Sequence, residues 1–244
     1  MYPQNRNSSF GFQSTYSGPA SASVAKSFMQ RVFSWMAIAL AITAFVAYYF
    51  SSSQALMSAL ITQQGLTGLG WVVMLAPIGF VLLMSFGFHK LSSGTLTLIF
   101  GAYAVVMGMS LSFILLAFTA ASIYQTFAVT AGMFGLMAFL GYTTKTDLTK
   151  FGSLLMMGLI GIILASVVNM FLGSSTLEYI ISFLGVVIFT GLAAYDTQKL
   201  KRMSAQLEEG SESAKKLTIL GALTLYLDFI NLFLFLLRFL GDRR

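Results

Sequence analysis

Two acids set in apolar sequence are the residues best placed to do chemistry. They are Asp228, in GALTLYLDFINLFLFLLRFL (221–240), and Asp196, in AAYDTQKLK (193–201). A run of about 20 apolar residues can cross a bilayer as a helix. An acid near its middle costs roughly 2.5–3.5 kcal/mol on insertion scales, so it needs a partner, a proton or a water-lined path. Two carboxyl groups brought together cannot both ionise cheaply; they share a proton and titrate as a pair. A cation can take that proton's place. Two Asp alone hold calcium weakly, since calcium takes about 6–8 oxygens, and weak binding suits passage better than storage. Asp196 and Asp228 are therefore an expected pH-sensing pair, and a weak, transient calcium site.

The neighbours of Asp228 form a seam. At about 100° per residue, Gly221, Thr224, Asp228 and Asn231 fall within an arc of about 80°, with Arg238 close to the same stripe and Leu, Ile and Phe opposite. Such a seam faces protein or water rather than lipid. Thr224 and Asn231, with Asn169 and with Tyr195 beside Asp196, are expected to line a polar interior. The competing account is a buried structural Asp satisfied by Thr, Asn or backbone groups. Of the other acids near apolar sequence, Asp147 lies between Lys145 and Lys150 and reads as solvated. Glu178 opens an apolar run, where the helix dipole favours an anion.

The elements that must position these residues follow from composition. Of 244 residues 57% are hydrophobic and only 9% charged, against about 25% charged in soluble domains. With no cysteine and one histidine, His89, disulfides, thiol catalysis and multi-ligand zinc sites are excluded. Residues 1–25 read as a flexible polar tail rather than a signal peptide. Residues 26–244 read as one all-α integral membrane domain with seven transmembrane helices at about 33–50, 69–88, 96–118, 122–142, 153–172, 178–197 and 217–240.

Charge orients the spans. Arg6, Lys26 and Arg31 precede the first, Lys90 follows the second, and Lys145 and Lys150 follow the fourth. Lys199, Lys201, Arg202, Lys215 and Lys216 lie between the sixth and seventh. The alternate loops 51–68, 119–121 and 173–177 contain no Lys or Arg. The positive-inside rule puts the N-terminus in the cytoplasm and makes the net charge of +6 a topology signal rather than a nucleic-acid footprint. Seven crossings then leave the C-terminus, with Arg238, Arg243 and Arg244, on the opposite side, against that rule. A last segment that turned back would keep every basic residue cytoplasmic, but 217–240 lacks the Gly/Pro break of a re-entrant loop.

Small residues four apart, Gly161/Ala165/Asn169, Ala128/Gly132 and Gly108/Ser112, are expected to let helices approach closely. Pro77 is a candidate kink in the second span. Depth sets one demand. Asp228 lies about 17 Å into its span, whereas Asp196 sits near a cytoplasmic end. For the two to meet, the sixth helix must continue past Lys199 and Arg202, whose charged heads would snorkel to water.

At these residues the chain resembles the Bax inhibitor-1 (transmembrane Bax-inhibitor motif) family, bacterial branch. The resemblance rests on 221–240, on AAYDTQKLK and on GYTTKTDLTKFG (141–152), and covers nearly the whole chain beyond the tail. It implies a seven-helix fold with the last helix central and wrapped by the other six, in the bacterial inner (cytoplasmic) membrane. It also implies a pH-sensitive calcium leak gated by an aspartate pair, matched by Asp196 and Asp228. The family's leak members engage that pair with a basic residue from the second span. No Arg or Lys lies within 69–88, so His89, Lys90 and Arg238 are the candidates for such a latch. Other bacterial relatives are linked to a membrane-bound AAA protease, as substrate or modulator.

Three functions are thus weighed. The first is a proton-gated cation (calcium) leak, carrying calcium and protons with no cofactor and working as a monomer in the bilayer. The second is a membrane interaction protein that modulates a membrane-bound AAA protease or a stress response. The third, an aspartyl intramembrane protease, lacks its motifs: Asp228 sits in Leu-Tyr-Leu-Asp rather than Gly-x-Gly-Asp, and no Pro-Ala-Leu occurs. The chain is not expected to be an enzyme.

Overall fold

The computed structural model describes residues 19–87, 90–208 and 210–244, with side chains from Ser23 onward. Helices α1 (Pro19–Ser52), α2 (Gln54–Leu60), α3 (Gly68–Gly87), α4 (Ser93–Ala117), α5 (Ala120–Thr143), α6 (Thr149–Leu172), α7 (Ser175–Ser204) and α8 (Glu212–Leu240) follow in order. All but α2 are long and apolar enough to cross a membrane. The protein is all-α, and its last helix is central.

The helix starts are written in hydroxyl side chains. Ser53, Ser92, Thr119, Ser174 and Ser211 each accept a backbone N–H from three residues on, the standard N-cap that satisfies an orphan donor. Gly173 ends α6 in the left-handed region at φ 60°, a conformation that suits residues without a Cβ.

Several boundaries differ from the hydropathy reading. Helix α1 begins at Pro19, inside the stretch 1–25 expected as tail; the rest of that tail, residues 1–18, lies outside the described residues. Proline fits a first helical turn, and Ala and Ser sustain a helix that hydropathy alone does not register. Helices α7 and α8 likewise extend to Ser204 and back to Glu212, because polar and basic residues continue a helix once it leaves the apolar layer. In the loop 51–68, α2 is followed by a two-residue antiparallel pair, Ile61–Thr62 with Gly65–Leu66. Helix α3 runs on through Pro77.

Helix α8 carries the core. Of its most apolar stretch 67% is buried, against 39% for α7, the next most buried. Helices α1, α4, α5 and α7 pack directly on α8, while α3 packs on α4 and α6 on α7. Tyr226 stands edge-on to Phe100 and Tyr103, and Phe229 to Phe127 and Phe134. Close approach is arranged by particular glycines. A Cβ on Gly108 would lie 2.7 Å from the Thr43 carbonyl oxygen, and one on Gly141 would lie against the backbone of Ala194.

The Gly108/Ser112 face therefore does seat α4 on α1 as expected, with Ser112 fully buried. Of the other two small-residue stripes, Ala128/Gly132 does not seat a helix, and in Gly161/Ala165/Asn169 only Ala165 packs on the core. Nothing lies near a Cβ built on Gly161 or Gly132, and Ala128 is exposed. On α5 the buried face is instead Ser122, Thr126, Thr130, Phe134 and Ala138. Periodicity identifies a stripe but not which of two stripes faces protein when both sides are apolar.

The two ends of the bundle differ in charge. One end carries the α3–α4, α5–α6 and α7–α8 junctions with their lysines and arginines; Glu212 accepts the Ser93 N–H there at 2.7 Å. At the other end the C-terminal segment 241–244 folds back on the α4–α5 junction. Thr119 N–H donates to the Asp242 carbonyl, Arg244 N–H to the Ala117 carbonyl, and Asp242 N–H to the Ser122 hydroxyl. Glu178, in the first turn of α7, pairs with Arg243.

Candidate functional site

Asp196 and Asp228 come together. Helix α7 continues eight residues past Asp196, to Ser204, which carries the acid to the level of mid-α8. The two carboxyl groups lie within hydrogen-bonding reach of each other. Asp228 is 5% exposed. Its Oδ2 is buried with no hydrogen-bond partner among the described residues, which argues against an acid whose every oxygen is satisfied by structure.

The pair faces a cavity of about 370 Å³ between α6, α7 and α8. Its polar lining is Ser166, Asp196, Thr224, Asp228 and Asn231, and the rest is Met, Leu, Ile and Phe. Thr224 donates to the Leu220 carbonyl and Asn231 Nδ2 to the Leu227 carbonyl, so each keeps an oxygen for the cavity. Ser166 was not singled out in the sequence. Its hydroxyl donates one turn back to Ile162, and it stands one residue around the helix from the Ala165 stripe. Spacing with Leu159 and Ile162 was the available signal.

Other expected lining residues go elsewhere. Asn169 Oδ1 accepts the Ser174 N–H across the α6–α7 turn, so it closes a turn rather than lining the cavity. Gly221 admits Leu200 from α7 at close range. The Tyr195 ring lies over Gly152 of α6, with Lys199 Nζ 5.9 Å from its centre; a Cβ at position 152 would fall inside van der Waals distance of that ring.

Of the latch candidates, Lys90 and Arg238 do not reach the pair. His89 lies outside the described residues. Lys90 is exposed in the α3–α4 turn. Arg238 is ten residues beyond Asp228, about 15 Å along the helix, with its guanidinium over the Phe235 ring. Helical spacing put Arg238 near the right stripe but could not shorten that axial distance.

The basic residues after Asp196 do more than snorkel. Lys201 Nζ donates to the Tyr142 carbonyl at 2.7 Å and stands over its ring, and Arg202 pairs with Asp147 at 2.7 Å. Gln198, buried two residues from Asp196, accepts the Leu148 N–H and donates to the Thr146 carbonyl. Together these contacts bind the α5–α6 loop to α7. Sequence reading missed Gln198; Asp147 is exposed, as expected, and the Arg202 pairing is an addition that its spacing did not show. Among the described residues no three His, Asp or Glu side chains gather in one place.

Comparison with known proteins agrees with this architecture. Residues 25–244 match the family model described as inhibitor of apoptosis-promoting Bax1. The chain is 49% identical over 221 residues to the inner membrane protein YbhL of Escherichia coli K12, covering 90% of this chain and 93% of that one. It is 48% identical over 217 residues to an uncharacterized protein of Borreliella burgdorferi, covering 89% and 92%. It is 44% identical over 217 residues to the uncharacterized protein RP147 of Rickettsia prowazekii, covering 89% and 90%. With seven apolar helices, the last of them central, and this match along nearly its whole length, the chain belongs to the Bax inhibitor-1 family.

Proposed function

We propose that the protein is a cation leak of the bacterial inner membrane, passing calcium and gated by the proton shared between Asp196 and Asp228. The observation that carries this reading is the meeting of two carboxyl groups from different helices at a cavity in the membrane-spanning part, with Asp228 Oδ2 buried and without a hydrogen-bond partner among the described residues. Two carboxyls that close are held together by a proton; a cation displaces it, or ionisation drives them apart. Because the acids belong to α7 and α8, that change moves one helix relative to another. Ser166, Thr224 and Asn231 add weak oxygens, fewer in all than a tight calcium site uses, which suits transit.

The name of the Escherichia coli relative supports an inner-membrane location, and the charge difference between the bundle ends supports a cytoplasmic N-terminus. The test is calcium flux from liposomes across a pH range, for the wild type, Asp196→Asn and Asp228→Asn. Flux that changes with pH in the wild type, and not in either variant, is the expected result. No wild-type flux, or an identical curve in all three, overturns the reading.

A further inference from the structure

A second cavity, of about 460 Å³, lies on the opposite side of α8 from the aspartate pair, between α1, α4, α5 and α8. Its walls are mostly Leu, Ile, Ala and Phe. Along α1 it runs from Leu40 to Ser51, about 16 Å of helix and so about half of a ~30 Å hydrocarbon core. One leaflet has that depth. The mouth lies where α1 and α8 end and α5 begins, beside Tyr48 and Tyr124, which are 65% and 72% exposed. Exposed tyrosines at helix ends mark the headgroup level of a bilayer.

Arg244 also lines the mouth. Its backbone is fixed by the bond to Ala117. Arg243 is already engaged by Glu178, whereas among the described residues no acidic side chain pairs with Arg244. An apolar groove one leaflet deep, with a guanidinium at headgroup height, matches an acyl chain ending in a phosphate. We infer that this groove binds a diacyl phospholipid with an anionic headgroup, its chain along α1 and its phosphate at Arg244. The site is separate from the aspartate pair and does not rest on the leak reading.

The experiment is native mass spectrometry of the full-length, delipidated protein with added phosphatidylglycerol or phosphatidylcholine of the same acyl chains. Wild type is expected to retain phosphatidylglycerol about fivefold better, the factor that one basic residue near a membrane surface contributes. Arg244→Gln is expected to equalise the two lipids. Ala44→Phe, at an exposed position on the groove wall, is expected to lower retention of both without changing thermal unfolding. Equal retention by wild type overturns the inference. A preference that survives Arg244→Gln also overturns it, because the basic residues at the other end then account for it.

Discussion

Asp228, at mid-length of the central helix, and Asp196, eight residues before the end of α7, meet carboxyl to carboxyl at a cavity closed on its far side by α6. Neither helix could bury its acid alone at ordinary cost. Each supplies the other's partner, and under the proposed gating the α7–α8 arrangement and the protonation of the pair are one equilibrium.

The proposed shared proton makes the two acids non-additive. Asp196→Asn and Asp228→Asn each remove one half of a single titrating unit, so the double variant is expected to have the same flux-versus-pH curve as either single one. Liposome flux with all three variants checks this. Two separable pH transitions would show that the carboxyls titrate independently.

A buried hydroxyl network on the other face of α8 predicts an asymmetry in stability. The Thr43 hydroxyl is shared with the Tyr226 hydroxyl at 2.7 Å and reaches the Ala104 carbonyl at 2.9 Å. Thr43→Val strands the Tyr226 hydroxyl in the core, an unmade bond costing about 1–3 kcal/mol. Tyr226→Phe leaves Thr43 bonded to Ala104 and is expected to cost about 1 kcal/mol. Thermal unfolding in one detergent should therefore rank Thr43→Val below Tyr226→Phe, and the reverse order would contradict the network.

Glycines separate in the same assay. A Cβ at Gly141 meets the backbone of Ala194, which cannot rotate away, so Gly141→Ala is expected to cost about 1–3 kcal/mol as overpacking. Gly132 on the same helix has open space, and Gly132→Ala is expected to stabilise by roughly 0.5–1 kcal/mol through helix propensity. Opposite shifts in melting temperature are the expected readout.

What could be read from sequence follows this division between burial and contact. Asp228 was legible because an acid in apolar sequence stands out by its desolvation cost, and Thr224 and Asn231 because they share its helical face. The central place of α8 was implied by the resemblance around 221–240. Asn169 was misassigned because a polar residue near a helix end serves equally as a cap, and spacing carries no information on depth. Gln198 was invisible because its partners are backbone atoms of the α5–α6 loop, which no side-chain pattern announces. Ser166 differs from its neighbour Ala165 by 100° of rotation, a distinction that needs the partner helices to be placed first.

The α5–α6 loop has its own pH dependence. Asp147 is held well below the usual carboxylate range by the Thr149 hydroxyl and N–H, and then by Arg202. A depressed carboxyl stabilises the fold at pH above its unfolded value, about 3.9, and loses that contribution as pH falls through the lower folded value. Hydrogen exchange should show weaker protection of residues 144–149 in Asp147→Asn than in wild type at pH 7. The gap should stay constant down to pH 5 and shrink below about pH 4. Because the group is exposed, solvent screening keeps the gap small, and no gap at pH 7 would remove Asp147 from the account of this loop.

The C-terminal arginines bear on orientation. Seven crossings put residues 241–244 at the end whose loops lack Lys and Arg, against the simplest form of the charge rule. The contacts reduce that conflict, since Arg243 pairs with Glu178 and Arg238 lies over Phe235, while among the described residues no acidic side chain pairs with Arg244. The basic residues of the opposite end outnumber it, so the N-terminal side is expected in the cytoplasm. The chain has no cysteine, which makes single-cysteine labelling clean. Asp242→Cys and Lys145→Cys both fall on exposed positions. An impermeant maleimide added to intact spheroplasts should label the first and should reach the second only after the membrane is opened. Labelling of Lys145→Cys alone in intact spheroplasts would invert the orientation, and labelling of both would break the odd number of crossings.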